Sequence, residues 1–389
     1  MITIDLVYFN AGGGHRAAAH ALRDVIRAQQ RPWQVRLVPL MDVLDPSGRF
    51  NRITGFAPED LYNMRLKRGW TLGMAQELKL LQGMIKLGHA SLLRPLRQHW
   101  LTTEPDLVVS LVPNFNRALY ESVATTLPGV PFVTVMTDMA DHPPHFWIEP
   151  GQDQHLVCGS ERAVAQARAA GFADRQISLA SGMILRPAFY TPVDIDRAQA
   201  LRELGLDPQR PTGLVMFGGQ GSMQMLRMAR DLADRQLILM CGHNEALARQ
   251  LRSRRAGGGH AVVGFTADVT RYMHLADYFI GKPGPGCLSE AVQAGLPVIT
   301  FRNAWTMPQE RFNTEWVREQ GVGVVLKSLR ELPAATATMI EQLPEFQARV
   351  HKIDNRALFE VPEILADLLF KAAVPGGARL SQGSAAMAA

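Results

Sequence analysis

Cysteine is scarce: Cys158, Cys241 and Cys287 stand alone in a chain of 389 residues. An odd, scattered set supports neither a disulfide framework nor a Cys-x-x-Cys metal site, and makes the cytoplasm the expected compartment. Long apolar runs are missing as well. The hydrophobic stretches have the length of strands, far short of the ~20 residues that cross a bilayer, so no spanning helix is expected. The N-terminus lacks the basic-then-apolar pattern of a signal peptide, and export is not expected. Acidic residues are almost absent from one segment. Residues 61–100 hold Arg65, Lys67, Arg68, Lys79, Lys86, Arg94 and Arg97 against Glu77 alone, whereas the whole chain carries a formal charge of +5. The remainder is therefore slightly acidic. Charge concentrated in this way argues against a diffuse nucleic-acid footprint and points to an anionic surface.

What is present is a globular chain, 47% hydrophobic and 20% charged, long enough for two domains with separate cores. No fixed-period repeat is found. Short β-rich runs alternate with amphipathic helical patterns, the signature of βαβ units and parallel sheets in an α/β protein. One set covers residues 3–9, 34–40, 106–112, 131–137, 154–160 and 176–181. A second covers 212–219, 236–242, 261–265, 277–284, 296–302 and 321–326. The stretch "RPAFYTPVDIDRAQALRELGLDPQRP" separates them, placing one domain at 1–195 and another at 196–372, with the last helical pattern, near 362–374, open to packing back on the first domain. The small and polar residues of 373–389 predict a disordered tail.

Glycine is concentrated where strands pass into helices. "FNAGGGHRAAAHALRDVI" puts Gly12, Gly13, Gly14 and His15 at such a junction. Glycines there either make a tight turn or open a helix N-terminus to an oxyanion or polar substrate. "MFGGQGSMQMLRMAR" places Gly218, Gly219, Gly221 and Ser222 where backbone N–H groups receive a diphosphate. It is not a nicotinamide fingerprint, having no acidic partner about 20 residues on. "GKPGPGCLSEAVQAGLPVITFRNAWTMPQERFNTEWV" adds Glu290, expected on the first turn of a helix, and then Gln309, Glu310 and Asn313. Glu290 reads equally as a ligand for ribose hydroxyls or as a partner of the helix dipole.

Together, "AGGGHRAAAHAL", "TDMADHPPHFW", "SGMILRPAF", "FGGQGSM", "GFTADVTRYMHLADYFIGKPGPGCLSEAVQAGLPVI" and "MPQERFN" resemble the diacylglycerol sugar transferases. These are the plastid monogalactosyldiacylglycerol synthases and bacterial diacylglycerol glucosyltransferases, related to the transferase that adds N-acetylglucosamine to lipid I. The resemblance runs in order from residue 5 to about 330. It implies a GT-B fold, two Rossmann-like domains facing across a cleft, with the nucleotide sugar on the second domain and the lipid acceptor on the first. Carried over, Gly218, Gly219, Gly221 and Ser222 lie by the diphosphate, with Gly284 and Gly286 on its other side. Phe265 and Thr266 meet uracil, Glu290 binds ribose, and Gln309 and Glu310 hold the sugar. The same resemblance implies that His15 assists catalysis, which suits its near-neutral pKa. Asp138 is the rival base or the group that orients His15, and Gly13, Gly14 and His142 lie on the acceptor side.

His142 and His145 with Asp138 or Asp141 also read as metal ligands. The prolines between them and the absence of a second cluster weigh against that, and the family implies no metal and no cofactor beyond the sugar donor. "DHPPHFW" departs from the shorter His-to-Trp spacing usual in the family, which leaves the acceptor open. Residues 60–100 mix Trp70 and several leucines and methionines with the basic residues, so Arg65, Lys67, Arg68 and Trp70 are expected to face an anionic membrane. The alternative there is a core-packing helix with a solvated rim.

The expectation is an inverting transferase moving galactose or glucose from a UDP-sugar to diacylglycerol at the inner face of the cell membrane. Rivals are a UDP-N-acetylglucosamine-dependent lipid transferase, a GT-B-fold UDP-sugar epimerase and a non-catalytic nucleotide- or lipid-sensing module.

Overall fold

The structure is a computed structural model that describes residues 1–10, 13–46, 74–253, 259–304 and 306–373. Every expected strand is present. The first six are β1 (Ile2–Tyr8), β2 (Trp33–Pro39), β3 (Leu107–Leu111), β4 (Phe132–Val135), β5 (His155–Cys158) and β6 (Ile177–Leu179). They form one parallel sheet in the order β2-β1-β3-β4-β5-β6. The other six are β7 (Thr212–Met216), β8 (Gln236–Met240), β9 (His260–Val263), β10 (Tyr278–Gly281), β11 (Val298–Phe301) and β12 (Gly323–Leu326). Their order is β12-β11-β10-β7-β8-β9, again parallel.

Runs such as Leu107–Leu111 are buried on both faces, which is why they read as continuous rather than alternating hydrophobic segments. In the first sheet, Ile4 and Leu6 pack with Leu22 on one face, while Val7 packs with Leu96, Trp100 and Leu119 on the other. In the second, Leu214 and Met216 pack against Leu288 and Val317, and Val215 and Leu239 against Met228, Leu247 and Met339.

Several strands end before their sequence patterns do. The run 212–219 leaves the sheet after Met216, because Gly218 turns into the left-handed region at φ 74°. The run 277–284 leaves after Gly281, ahead of Pro283, which has no N–H for a ladder. These shortened ends release the loops that build the cleft.

The last helix runs Ala357–Ala373, starting five residues before Pro362. Ala357, Val361 and Leu365 are fully buried in the core of the first sheet, and that packing outweighs the cost of a proline within the helix. The chain thus crosses between the two sheets twice, and the crossings are tied together. Asn355 Nδ2 donates to the Met183 carbonyl at 2.9 Å, and the Ser181 N–H and hydroxyl both donate to Glu360 Oε2, at 2.7 and 2.9 Å. A Cβ on Gly182 would stand 2.7 Å from Asn355 Cγ, so a larger residue there would displace the Asn355 side chain from this tie. Arg65, Lys67, Arg68 and Trp70, Gly12 and the tail beyond residue 373 lie outside the described residues.

Candidate active site

On the first-domain side, Gly13 caps the Gly14–Ala28 helix with φ 83°. Among the described glycines of this loop only Gly13 takes the left-handed conformation; Gly14 is helical, and a Cβ on either would meet nothing within 4 Å. Gly13 and Gly14 thus leave open space beside the helix start. His15 follows them, half-buried, with Nδ1 2.8 Å from Thr137 Oγ1 and its ring 5.7 Å from that of Trp147. Desolvation by burial holds its imidazole down to about 4, against an opposing backbone hydrogen bond at Leu111. It is neutral at neutral pH.

Asp138 lies three residues past β4 and is 7% exposed. Its Oδ2 accepts from Trp147 Nε1 at 2.9 Å. Burial pushes its carboxyl up to about 7; the Trp147 bond opposes this, the Glu310 charge adds to it and the Lys282 charge subtracts. Asp138 was expected as base or as the group orienting His15. The structure gives the contact with His15 to the Thr137 hydroxyl and ties Asp138 to Trp147, which lies against both.

Trp147 is held rigidly. Its N–H donates to Asp141 Oδ1 at 2.6 Å, and the His145 N–H donates to Asp141 Oδ2 at 3.0 Å. Gln166 pairs with the N–H and C=O of Asp141, and Asn116 Nδ2 donates to the Trp147 carbonyl at 3.0 Å. Asp141 therefore clamps backbone. Among the described residues no group of three or more His, Cys, Asp or Glu side chains is arranged to hold a metal ion. His142 sits beside this loop, lowered by burial and by the Arg162 charge, and it also senses Glu315 and Arg311 of the second domain.

On the second-domain side, Gly218 and Gly221 take φ 74° and 59°. A Cβ on Gly221 would fall 2.7 Å from the Cys241 carbonyl, and one on Gly242 2.2 Å from that of Gly219. The Gly218–Ser222 loop does not open directly into a helix as the sequence predicts. Residues 222–224 form a turn, with the Met225 N–H on the Ser222 carbonyl at 3.0 Å, and only the short Met225–Asp231 helix follows. The Pro285–Gln293 helix starts opposite, with Gly284 as N-cap and Pro285 at its first position, leaving Gly286 exposed on its first turn.

Glu290 is the sixth residue of that helix, on the second turn rather than the expected first. The helix-dipole reading loses its geometry, since the dipole acts within the first turn. Its Oε1 accepts from Arg186 Nη2 at 3.3 Å, while Arg186 Nη1 donates to the Ala267 carbonyl at 3.3 Å. Burial raises the Glu290 pKa and the Arg186 charge opposes it. Next to Ala267, Phe265 is 63% exposed and stacks on His243 with ring centres 3.8 Å apart. Thr266 Oγ1 accepts from the Asp268 N–H at 3.1 Å. Gln309 and Glu310 lie in a buried turn at Pro308–Glu310, before the Arg311–Glu319 helix. Gln309 Oε1 is buried with no hydrogen-bond partner among the described residues, and Glu310 Oε1 pairs with Lys282 Nζ at 3.1 Å. Asn313 Nδ2 ties the Pro283 carbonyl to that helix at 2.7 Å.

The two halves meet. Phe312 packs with Met139, Ala140 and Met183, and the carboxyl of Asp138 feels the charges of Glu310 and Lys282.

The model of the glycosyltransferase family 28 C-terminal domain matches residues 214–354, the half that holds the glycine turns, Glu290 and Glu310. Monogalactosyldiacylglycerol synthase 1, chloroplastic, of Arabidopsis thaliana is 30% identical over 352 residues, 84% of this chain and 63% of that protein. The probable monogalactosyldiacylglycerol synthase 2 of Oryza sativa subsp. japonica is 29% identical over 354 residues, 83% of this chain and 70% of that one. Over most of its length the chain is similar to monogalactosyldiacylglycerol synthases.

Its fold is GT-B. The calicheamicin glycosyltransferase CalG4 superposes with a TM-score of 0.62 at 16% identity, covering 96% of this chain and 100% of that one. Anabaena HepE in complex with UDP superposes at 0.53 and 15% identity, over 95% of this chain and 100% of that one. Thr137, Trp147, Arg186, His243 and Lys282 contact the candidate residues, and the sequence did not single them out. Each acts through a partner distant in the chain. Thr137 and Trp147 bound the quoted motif "TDMADHPPHFW", Arg186 lies in "SGMILRPAF" and Lys282 in "GKPGPG", whereas His243 lies in none of them.

Proposed function

We propose that this chain transfers a hexose, galactose or glucose, from a UDP-sugar to the free hydroxyl of diacylglycerol, with inversion, at a membrane surface and without a metal ion. One observation carries the reading: His15, Asp138 and Trp147 of one domain lie together, and the Asp138 carboxyl feels the charges of the Lys282–Glu310 pair of the other. Homology to lipid galactosyltransferases supplies the substrate class.

In the reaction, the acceptor oxygen forms a bond to the anomeric carbon from the first-domain side, and the bond from that carbon to the diphosphate breaks. Its electron pair leaves on UDP, while the acceptor proton passes to His15. Neutral at rest, His15 has a lone pair to offer, and the incoming anionic diphosphate raises its basicity. Backbone N–H groups at the start of the Pro285–Gln293 helix stabilise the departing charge. Arg186 holds Glu290 in place for the ribose hydroxyls.

Membrane association is supported by the Met74–Leu87 helix. Leu80, Met84 and Leu87 share one face of it at 65%, 55% and 91% exposure, with Lys79 and Lys86 beside them. Such a helix lies in the headgroup region of a bilayer. Gln82 of this helix donates to the Pro144 carbonyl at 3.3 Å, and a cavity of about 360 Å³ beside that contact is lined by Lys86, His89, Asn114, Arg117 and His145. Among the described residues no helix is long and apolar enough to cross a membrane.

The test is UDP release from UDP-galactose, UDP-glucose and UDP-N-acetylglucosamine, with and without diacylglycerol in anionic micelles, in the presence of EDTA. Release that requires the lipid and one hexose donor, survives EDTA and disappears in Glu290→Ala and His15→Ala is expected, the latter losing about 10²–10⁴-fold in kcat. Absence of release with every donor, alongside intact UDP binding, overturns the proposal. In flotation assays, Leu80→Ser/Met84→Ser/Leu87→Ser is expected to lose vesicle binding while keeping its UDP affinity; unchanged flotation removes this helix from the membrane contact.

A further inference from the structure

Lys282 occupies the point where the cleft's separate parts converge. It follows β10 directly, and its side chain is 34% exposed while that of its partner Glu310 is 6% exposed. Its stem runs between the two glycine turns: a Cβ built on Gly284 would stand 3.1 Å from Lys282 Cε, and one on Gly218 3.7 Å. Its ammonium bonds Glu310 Oε1 at 3.1 Å, and its charge reaches both Asp138 and Cys287. Cys287 in turn bonds the backbone at Gly218, so the start of the Pro285–Gln293 helix and the Gly218 turn are one assembly.

We propose that Lys282 is the cation that receives the donor diphosphate, and that it does so by leaving Glu310, whose carboxylate is thereby released to the hydroxyls of the transferred sugar. The inference rests on the nucleotide-sugar reading given above. A carboxylate as buried as that of Glu310 does not stay charged without a partner at no cost. UDP alone takes the lysine and leaves Glu310 uncompensated. A UDP-sugar takes the lysine and supplies hydroxyl donors in its place, so diphosphate and sugar bind cooperatively through one ion pair.

Calorimetric titration of the full chain with UDP and with uridine tests the exchange. Lys282→Met is expected to weaken UDP about tenfold or more while changing uridine affinity less than about twofold, and Lys282→Arg to restore most of the loss. Glu310→Gln, which removes the carboxylate charge from the lysine beforehand, is expected to tighten UDP by about threefold or more and to lower turnover. Equal weakening of UDP and uridine in Lys282→Met would mean that the lysine only supports the turn, and overturns the proposal, as does unchanged UDP affinity. Weaker UDP binding in Glu310→Gln overturns the exchange. If the unsubstituted chain binds neither UDP nor uridine, the donor reading itself fails and this inference with it.

Discussion

Burial moves His15 and Asp138 in opposite directions, the imidazole down to about 4 and the carboxyl up to about 7. The two rival bases are thereby separated on the pH axis. Because kcat/KM reports ionisations of the free enzyme, its acid limb falls near 4 if His15 accepts the proton and near 7 if Asp138 does. The expected limb is the lower one, measured with the donor varied at fixed lipid. Trp147→Phe removes the Nε1–H donor from Asp138, so the carboxyl should move above its present value and the protein lose about 1 kcal/mol in urea melts. The His15 limb should stay in place. The family resemblance is what marked His15 and Asp138 in the sequence. Thr137, Trp147 and Lys282 were not singled out, because a hydroxyl, an indole and an ammonium gain their roles from neighbours placed by the fold.

The strand-to-helix turns show where sequence pattern and structure part company. Twelve strands were legible because a strand buried on both faces is a continuous apolar run. Their ends were not, since the left-handed turn at Gly218 and the Pro283 break are backbone events within apolar stretches. The placement of Glu290 on a second turn follows from a helix that begins at Pro285, a boundary hidden among three glycines and prolines. Gly221 and Gly14 offer a contrast. Gly221→Ala places a Cβ 2.7 Å from the Cys241 carbonyl at φ 59°, and is expected to cost about 1–2 kcal/mol or more and to weaken UDP binding. Gly14→Ala, helical and facing open space, should leave the melting temperature unchanged or raise it. Thermal melts and UDP titration of the two variants check both.

For the molecule as a whole, the same two site residues set opposing pH dependences of stability. Between its ordinary 3.8 and about 7, Asp138 holds a proton when folded and not when unfolded, so stability falls as pH rises through that window. Between about 4 and its ordinary 6.5, His15 holds a proton only when unfolded, so stability rises with pH. The two slopes largely cancel. Relative to the unsubstituted protein, Asp138→Asn should gain stability from pH 4 to 7, and His15→Gln should gain it from pH 6.5 down to 4, each on the order of 2 kcal/mol in urea melts. A parallel pH course for each variant and the unsubstituted protein would contradict these assignments.

The Ala357–Ala373 helix, the last described segment of the chain, supplies Ala357, Val361 and Leu365 to a core shared with β1, β3, β4, β5 and the Gly14–Ala28 helix. On the ribosome, then, the first domain to emerge is the last to be finished. Its sheet keeps an apolar groove open while some 170 residues of the second domain are made, and closes it only when the chain returns.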